Sequence, residues 1–183
     1  MAILRTGAGE WPGVKMKVYL AGFDVFRPDA IERGAYLKRL CNKHGLEGLY
    51  PMDNAIPDGL SGPAAARWIA EQNMTMVRSC DAVLANLSNF RGAEPDSGTA
   101  FEMGVAVALG KPVWAYFNEK APLREQIATD SLGLCIEGYF VEDFGLPKNL
   151  MLACQWAGYS HGARNAVADL SAYLLGRQDQ VAV

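Results

Sequence analysis

From Val14 the chain alternates apolar and polar side chains through "VKMKVYLAG", turns wholly apolar, and stops at Gly22. That pattern predicts a buried strand running into a loop. "DAIERGAYLKRLCNKHG" then sets Ile31, Leu37, Leu40 and Cys41 on one helical face and ends at Gly45, with His44 as a cation-capable residue in the last turn. "LEGLYPMDN" reads as a short strand entering a polar loop. Pro63 opens a second helix in which Ile69, Met76, Val77 and Cys80 fall in register. "DAVLANLS" is continuously apolar, as a strand buried on both faces would be. A turn-rich run, "NFRGAEPDSGT", leads into a helix whose stripe of Phe101, Val105, Ala108 and Leu109 ends at Gly110, and Pro112 starts the strand "PVWAYF".

The remainder is less regular. "APLREQIATDS" fits a short helix, "LCIEGYFVEDFGLP" a strand or an ordered loop, and "KNLMLACQWAG" and "GARNAVADLSAYLLG" two final helices. Strand and helix alternate about four times. The expectation is therefore an α/β protein, a doubly wound parallel sheet between two helical layers, in a single domain over 14–176. Residues 1–13 are expected to be a flexible leader and 177–183 a tail.

Composition narrows the function classes. The chain has 183 residues, half of them hydrophobic, with a formal net charge of −3. That is an ordinary globular balance without the basic field of a nucleic-acid binder, so no nucleic-acid polymer is expected as partner. No apolar run approaches the ~20 residues of a membrane span, so no membrane partner is expected. Cys41, Cys80, Cys135 and Cys154 are scattered within apolar segments and form no C-x-x-C. They read as reduced core thiols of a cytoplasmic protein. His44 and His161 have no metal-ligand spacing around them, and no metal is expected. Neither a P-loop nor a G-x-G-x-x-G occurs, so no dinucleotide or triphosphate cofactor is expected.

The candidate chemistry lies in carboxylates after the strands. In open parallel sheets, ligands bind outside the carboxyl ends of the strands. Asp24 follows the first strand, Asp53 and Asn54 the second, and Asn86, Asp96 and Glu102 the third, whereas Asp81 precedes the third. Asp96 has an ordinary explanation as a helix cap, and Glu102 as a first-turn acid complementing the helix dipole. Patterning leaves a second reading equally open. An ionised, half-buried Glu102 with another acid nearby is the minimum equipment for retaining chemistry at an anomeric carbon. The chain holds no Ser–His–Asp or Cys–His arrangement to compete with it.

Taken in order, "VYLAGFDVF", "YPMDN", "CDAVLANLSNFRG", "DSGTAFEMGVAVALGKPV" and "LPKNLM" resemble the nucleoside 2-deoxyribosyltransferases, from about Val18 to Met151. The resemblance implies a flavodoxin-like fold and transfer of the deoxyribosyl group of a 2′-deoxyribonucleoside to another free nucleobase through a covalent deoxyribosyl-glutamate. It implies Glu102 as nucleophile, Tyr19 as the group that positions it, and Asp81 as base contact and proton source. Asp96 would hold the sugar 5′-hydroxyl, and Asn149 would reach the sugar in a neighbouring subunit's site. Gly22, Phe23, Asp53, Asn54, Gly98 and Met151 would complete the substrate contacts. The active unit would be a homo-oligomer of dimers, up to a hexamer. Ala55 stands where some members carry Gln, and about thirty residues follow "NLM". Two alternatives accompany this reading. One is a deoxynucleoside 5′-monophosphate N-glycosidase, whose members typically carry Ser where Asp96 stands; an aspartate there repels a 5′-phosphate. The other is a non-catalytic nucleotide-binding module.

Overall fold

Five short strands carry the described part of the molecule: β1 (Met16–Ala21), β2 (Leu46–Leu49), β3 (Ala82–Asn86), β4 (Val113–Phe117) and β5 (Gly158–His161). All pair in parallel in the order β2-β1-β3-β4-β5, with Tyr19 opposite Leu49 on one side and Val83 on the other. That is the flavodoxin-like strand order, as expected. The computed structural model describes residues 15–181, and the expected leader at 1–13 lies outside them.

Alternation along the strands makes two cores. Val18 and Leu20 of β1 and Leu84 of β3 point to one face, where α1 (Ala30–Lys43) and α6 (Gly162–Val181) cover them. Tyr19, Ala21, Val83 and Ala85 point to the other, under α2 (Gly62–Ser79) and α3 (Ser97–Ala108). Every residue of β3 is buried, because the central strand is covered on both faces. A single turn, α4 (Leu123–Gln126), and another, α5 (Leu150–Ala153), interrupt the long connection between β4 and β5.

Several sequence expectations are corrected here. The fifth strand, "GYSH", falls between the two expected terminal helices and overlaps the first of them only at Gly158. It is short and begins at Gly158, where an added Cβ would come within 2.8 Å of Trp114, so the indole lies flat across the strand's first residue. Of the stripe of Phe101, Val105, Ala108 and Leu109, only Val105 packs against the core. α3 buries Thr99, Met103 and Ala106 instead, and Phe101 and Leu109 are exposed. Apart from Glu102 this helix has no charged residue, so periodicity could not select its inner face. Ile31 is likewise exposed, because α1 buries Ala30, Gly34, Leu37 and Cys41. Cys41 and Cys80 are core thiols, but Cys154 is exposed and Cys135 half-buried; all four are free. α6 continues past Gly176 to Val181, through the segment expected to be a tail. Among the described residues no helix is long and apolar enough to cross a membrane.

Candidate active site

Glu102 sits in the second turn of α3, on the side turned toward β1. There Tyr19, a fully buried residue of β1, donates its hydroxyl to Glu102 Oε1 at 2.6 Å. Strand alternation delivers the phenol to this face, and the connection after β3 returns the carboxylate to it. Oε2 has no hydrogen-bond partner among the described residues. Burial pushes the Glu102 carboxyl from 4.5 up to about 7; the Tyr19 hydroxyl works the other way, and the charge of Asp96 adds to the rise. Near neutral pH the group is therefore divided between its acid and its carboxylate, rather than wholly ionised. The Tyr19 hydroxyl is itself held well above its ordinary range by burial first and by the Glu102 charge second, so it stays a donor.

Asp96 is the N-cap of α3. Its Oδ2 accepts from Thr99 N and from Thr99 Oγ1, both at 2.9 Å. The ordinary explanation of Asp96 thus holds, and it occupies one oxygen only; Oδ1 stays open beside the helix N-terminus. Gly98 follows, where an added Cβ would lie 3.1 Å from Asp96 Oδ2.

A cavity of about 510 Å³ opens on the same face of the sheet, between the turn after β1 and helix α2. Val25, Phe26, Met52, Ile56 and Ile69 make it apolar, and Asn54 and Asn73 are its polar groups. Asn54 Nδ2 lies 3.8 Å from the sulfur of Met76, which packs in the same core as Tyr19. Asn73 Oδ1 is buried with no hydrogen-bond partner. An unmet buried acceptor costs roughly 1–3 kcal/mol, which a ligand N–H in this cavity would relieve. Asn73 was missed in the sequence. The available signal was an amide one turn before the buried pair Met76–Val77, on the same side of α2.

The other expected site residues divide. Gly22 holds its place by close approach: a Cβ there would come within 2.8 Å of Asn86 Cβ, so the chain can cross the end of β3 only without a side chain. Phe23 stacks on Phe90 at 5.0 Å and lines a cavity on the opposite face. Asp53 is committed elsewhere, accepting from Tyr50 N and pairing with Lys38 at 2.7 Å, and it does not line the amide-bearing cavity. Asn149 caps α5, accepting from Met151 N at 2.9 Å and donating to Glu142 Oε1 at 2.6 Å. With the exposed Met151 it lines a groove against the outer side of α3, not the Tyr19–Glu102 pair.

Asp81 is not brought to this group. It precedes β3 and its Oδ2 accepts from Lys17 N at 2.6 Å, while its own N–H donates to Lys17 O. Both bonds lie at the N-terminal ends of β1 and β3, away from the loops that carry Gly22 and Asp96. The base-contacting role expected of it has no geometric support. Among the described residues no cluster of His, Cys, Asp or Glu is arranged to hold a metal ion.

Comparison with known proteins adds to this geometry. A family model described as nucleoside 2-deoxyribosyltransferase matches residues 18–151. The chain is 34% identical to a solved 2-deoxyribosyltransferase from Leishmania mexicana, with a TM-score of 0.71 over 85% of this chain and 97% of that one. A conserved protein of Enterococcus faecalis aligns at 25% identity and a TM-score of 0.58, covering 84% of this chain and 96% of the other. A 2-deoxyribosyltransferase of Bacillus psychrosaccharolyticus, at 18% identity and a TM-score of 0.57 over 84% and 90%, shares the fold. An uncharacterised protein of Schizosaccharomyces pombe is 35% identical over 113 residues, 60% of this chain. The chain spans about half the length of that curated relative, as 54% of it is covered.

Proposed function

The chain belongs to the nucleoside 2-deoxyribosyltransferase family, and on that premise we propose that it moves the 2-deoxyribosyl group of a 2′-deoxyribonucleoside onto a second nucleobase by way of a covalent ester on Glu102. The observation that carries the reading is the 2.6 Å contact from the buried Tyr19 hydroxyl to one oxygen of a half-buried carboxylate whose other oxygen is free. Such a pair fixes a nucleophile in direction while leaving it one attacking atom.

In the first step Glu102 Oε2 bonds to C1′ as the C1′–N bond breaks, and the electron pair leaves with the base. The base occupies the cavity bearing Asn54 and Asn73, where the unmet Asn73 carbonyl oxygen accepts from a base N–H. That lining contains amides and no carboxylic acid, so the departing base takes its proton from water. A second base then attacks C1′ from the same pocket, loses its proton and releases Glu102. Asp96 Oδ1 accepts from the 5′-hydroxyl, and its charge disfavours a 5′-phosphate. The four free cysteines support a reducing, cytoplasmic setting.

We place Asn149 and Met151 in a contact between copies of the chain. Supporting this, Asn149 and Met151 line a groove of about 620 Å³ along α3, and the same helix presents Phe101 and Leu109 outward, an apolar face that a second copy would cover.

The test is to incubate the protein with a deoxyribonucleoside and a different free base, then chromatograph the products and weigh the quenched protein. Transfer yields a new deoxyribonucleoside and a deoxyribosyl adduct on the Glu102 peptide. Free deoxyribose without exchange would replace transfer by hydrolysis. No turnover across a panel of bases, with no adduct, would sink the enzymatic reading.

A further inference from the structure

A polar cavity of about 560 Å³ opens at the carboxyl edge of the sheet on the face opposite Glu102. Its floor is a closed network. Asp24 Oδ2 accepts from Asn86 Nδ2 at 2.9 Å and from the Tyr116 hydroxyl at 3.1 Å, and Oδ1 accepts from Arg33 Nε at 2.9 Å. The floor carboxylate is therefore satisfied, and the cavity's unmet capacity is for negative charge.

Three observations converge on that. Arg27, Arg33 and Arg164 line the cavity against a single acid, Asp24, in a chain whose net charge is −3. Donors remain on each arginine. Arg33 spends only Nε on Asp24, Arg27 spends Nε and Nη2 on Asp29 outside the lining, and Arg164 has no ion pair or hydrogen bond through its side chain among the described residues. The first turn of α6, a helix of 20 residues, also lines the cavity, through Gly162, Ala163, Arg164 and Asn165. That turn contains no acid, and the Asn165 amide donates to His161 O rather than capping the helix. Its free N–H groups and the positive end of the helix thus face the same space as the guanidinium groups.

We propose that this cavity binds the phosphate group of a small molecule, at a site separate from the deoxyribosyl chemistry. A phosphate has acceptors enough for the remaining guanidinium and backbone N–H donors together. The volume exceeds what the ion alone fills and lies in the range of small-ligand sites, with Phe23, Tyr36 and His161 available beside the carrier of the phosphate. This does not depend on the proposed transfer reaction, since none of its residues belongs to the Tyr19–Glu102 site.

The test is titration calorimetry of the full chain with inorganic phosphate and, separately, adenosine 5′-monophosphate. Both are expected to bind once per chain. Arg164→Glu should weaken each at least tenfold while leaving its thermal stability and deoxyribonucleoside turnover unchanged. Much tighter binding of the monophosphate would identify the phosphate as part of an organic ligand, and equal binding would identify the free ion. Either supports a phosphate site. Absence of saturable binding would overturn it, as would undiminished binding to the Arg27→Glu and Arg164→Glu proteins. So would displacement of bound phosphate by a free nucleobase, since that would put the anion in the Glu102 site.

Discussion

Replacing Glu102 by Gln should separate stability from activity in a way that depends on pH. Inside the fold the carboxyl is raised from 4.5 to about 7, chiefly by burial. At about 1.4 kcal/mol per tenfold change in proton affinity, ionising it in the native state costs about 3 kcal/mol more than in the unfolded chain. Because the folded value is the higher one, the protein has the full benefit of the protonated group below about pH 4.5. It loses that benefit as the pH rises through 7. At pH 5 the loss is about 1 kcal/mol, and by pH 8 it approaches the full 3. Glutamine keeps an acceptor for the Tyr19 hydroxyl but cannot ionise. Any constant difference in packing between the two side chains cancels when the pH is varied. The stability of Glu102→Gln relative to wild type should therefore rise by about 2 kcal/mol between pH 5 and pH 8, or roughly 4–8 °C in Tm for a domain of this size. Urea and thermal unfolding of both proteins at the two pH values measure it, with the variant inactive throughout. Parallel stability curves would refute the claim that burial of Glu102 sets its ionisation.

Three further outcomes follow from the same geometry. In the wild type, kcat/KM for a deoxyribonucleoside should climb about tenfold per pH unit below 7 and level off above it. Tyr19→Phe removes the donor that favours the carboxylate, so the acid limb should move to higher pH and the rate at pH 7 fall on the order of ten- to a hundredfold; a limb that stays in place would refute that role. Asp81→Asn should leave kcat/KM within about twofold, because its carboxylate holds Lys17 N at the far ends of the strands; a loss beyond tenfold would restore it to the site.

Much of the molecule is written locally. Strands β1 to β4 and helices α1 to α3 are legible because burial on one or both sides leaves a period of two, an unbroken apolar run, or a period near 3.6 in the chain itself. Glycine and proline mark their ends. Asp96 and Glu102 stood out for the same reason, as acids at the start of a helix that follows a strand, whereas Tyr19, inside β1, was reached only through the family resemblance.

What the chain could not state was which way each element turns and which distant groups meet. α3 is apolar almost all round, so only its docking on β3 selects Thr99, Met103 and Ala106 for the interior and leaves Phe101 outside. Asp81 is one residue from a strand, but parallel pairing puts it at the opposite end from the substrate loops. Asn73 looks like any helical amide until the turn after β1 closes over it and leaves its oxygen unmet. The raised affinity of Glu102 for its proton is likewise a property of the assembled site. Patterning reports the burial of a face, whereas ionisation and ligand capacity depend on contacts between distant residues, such as Tyr19 and Glu102, 83 positions apart, and Asp24 and Tyr116, 92 apart.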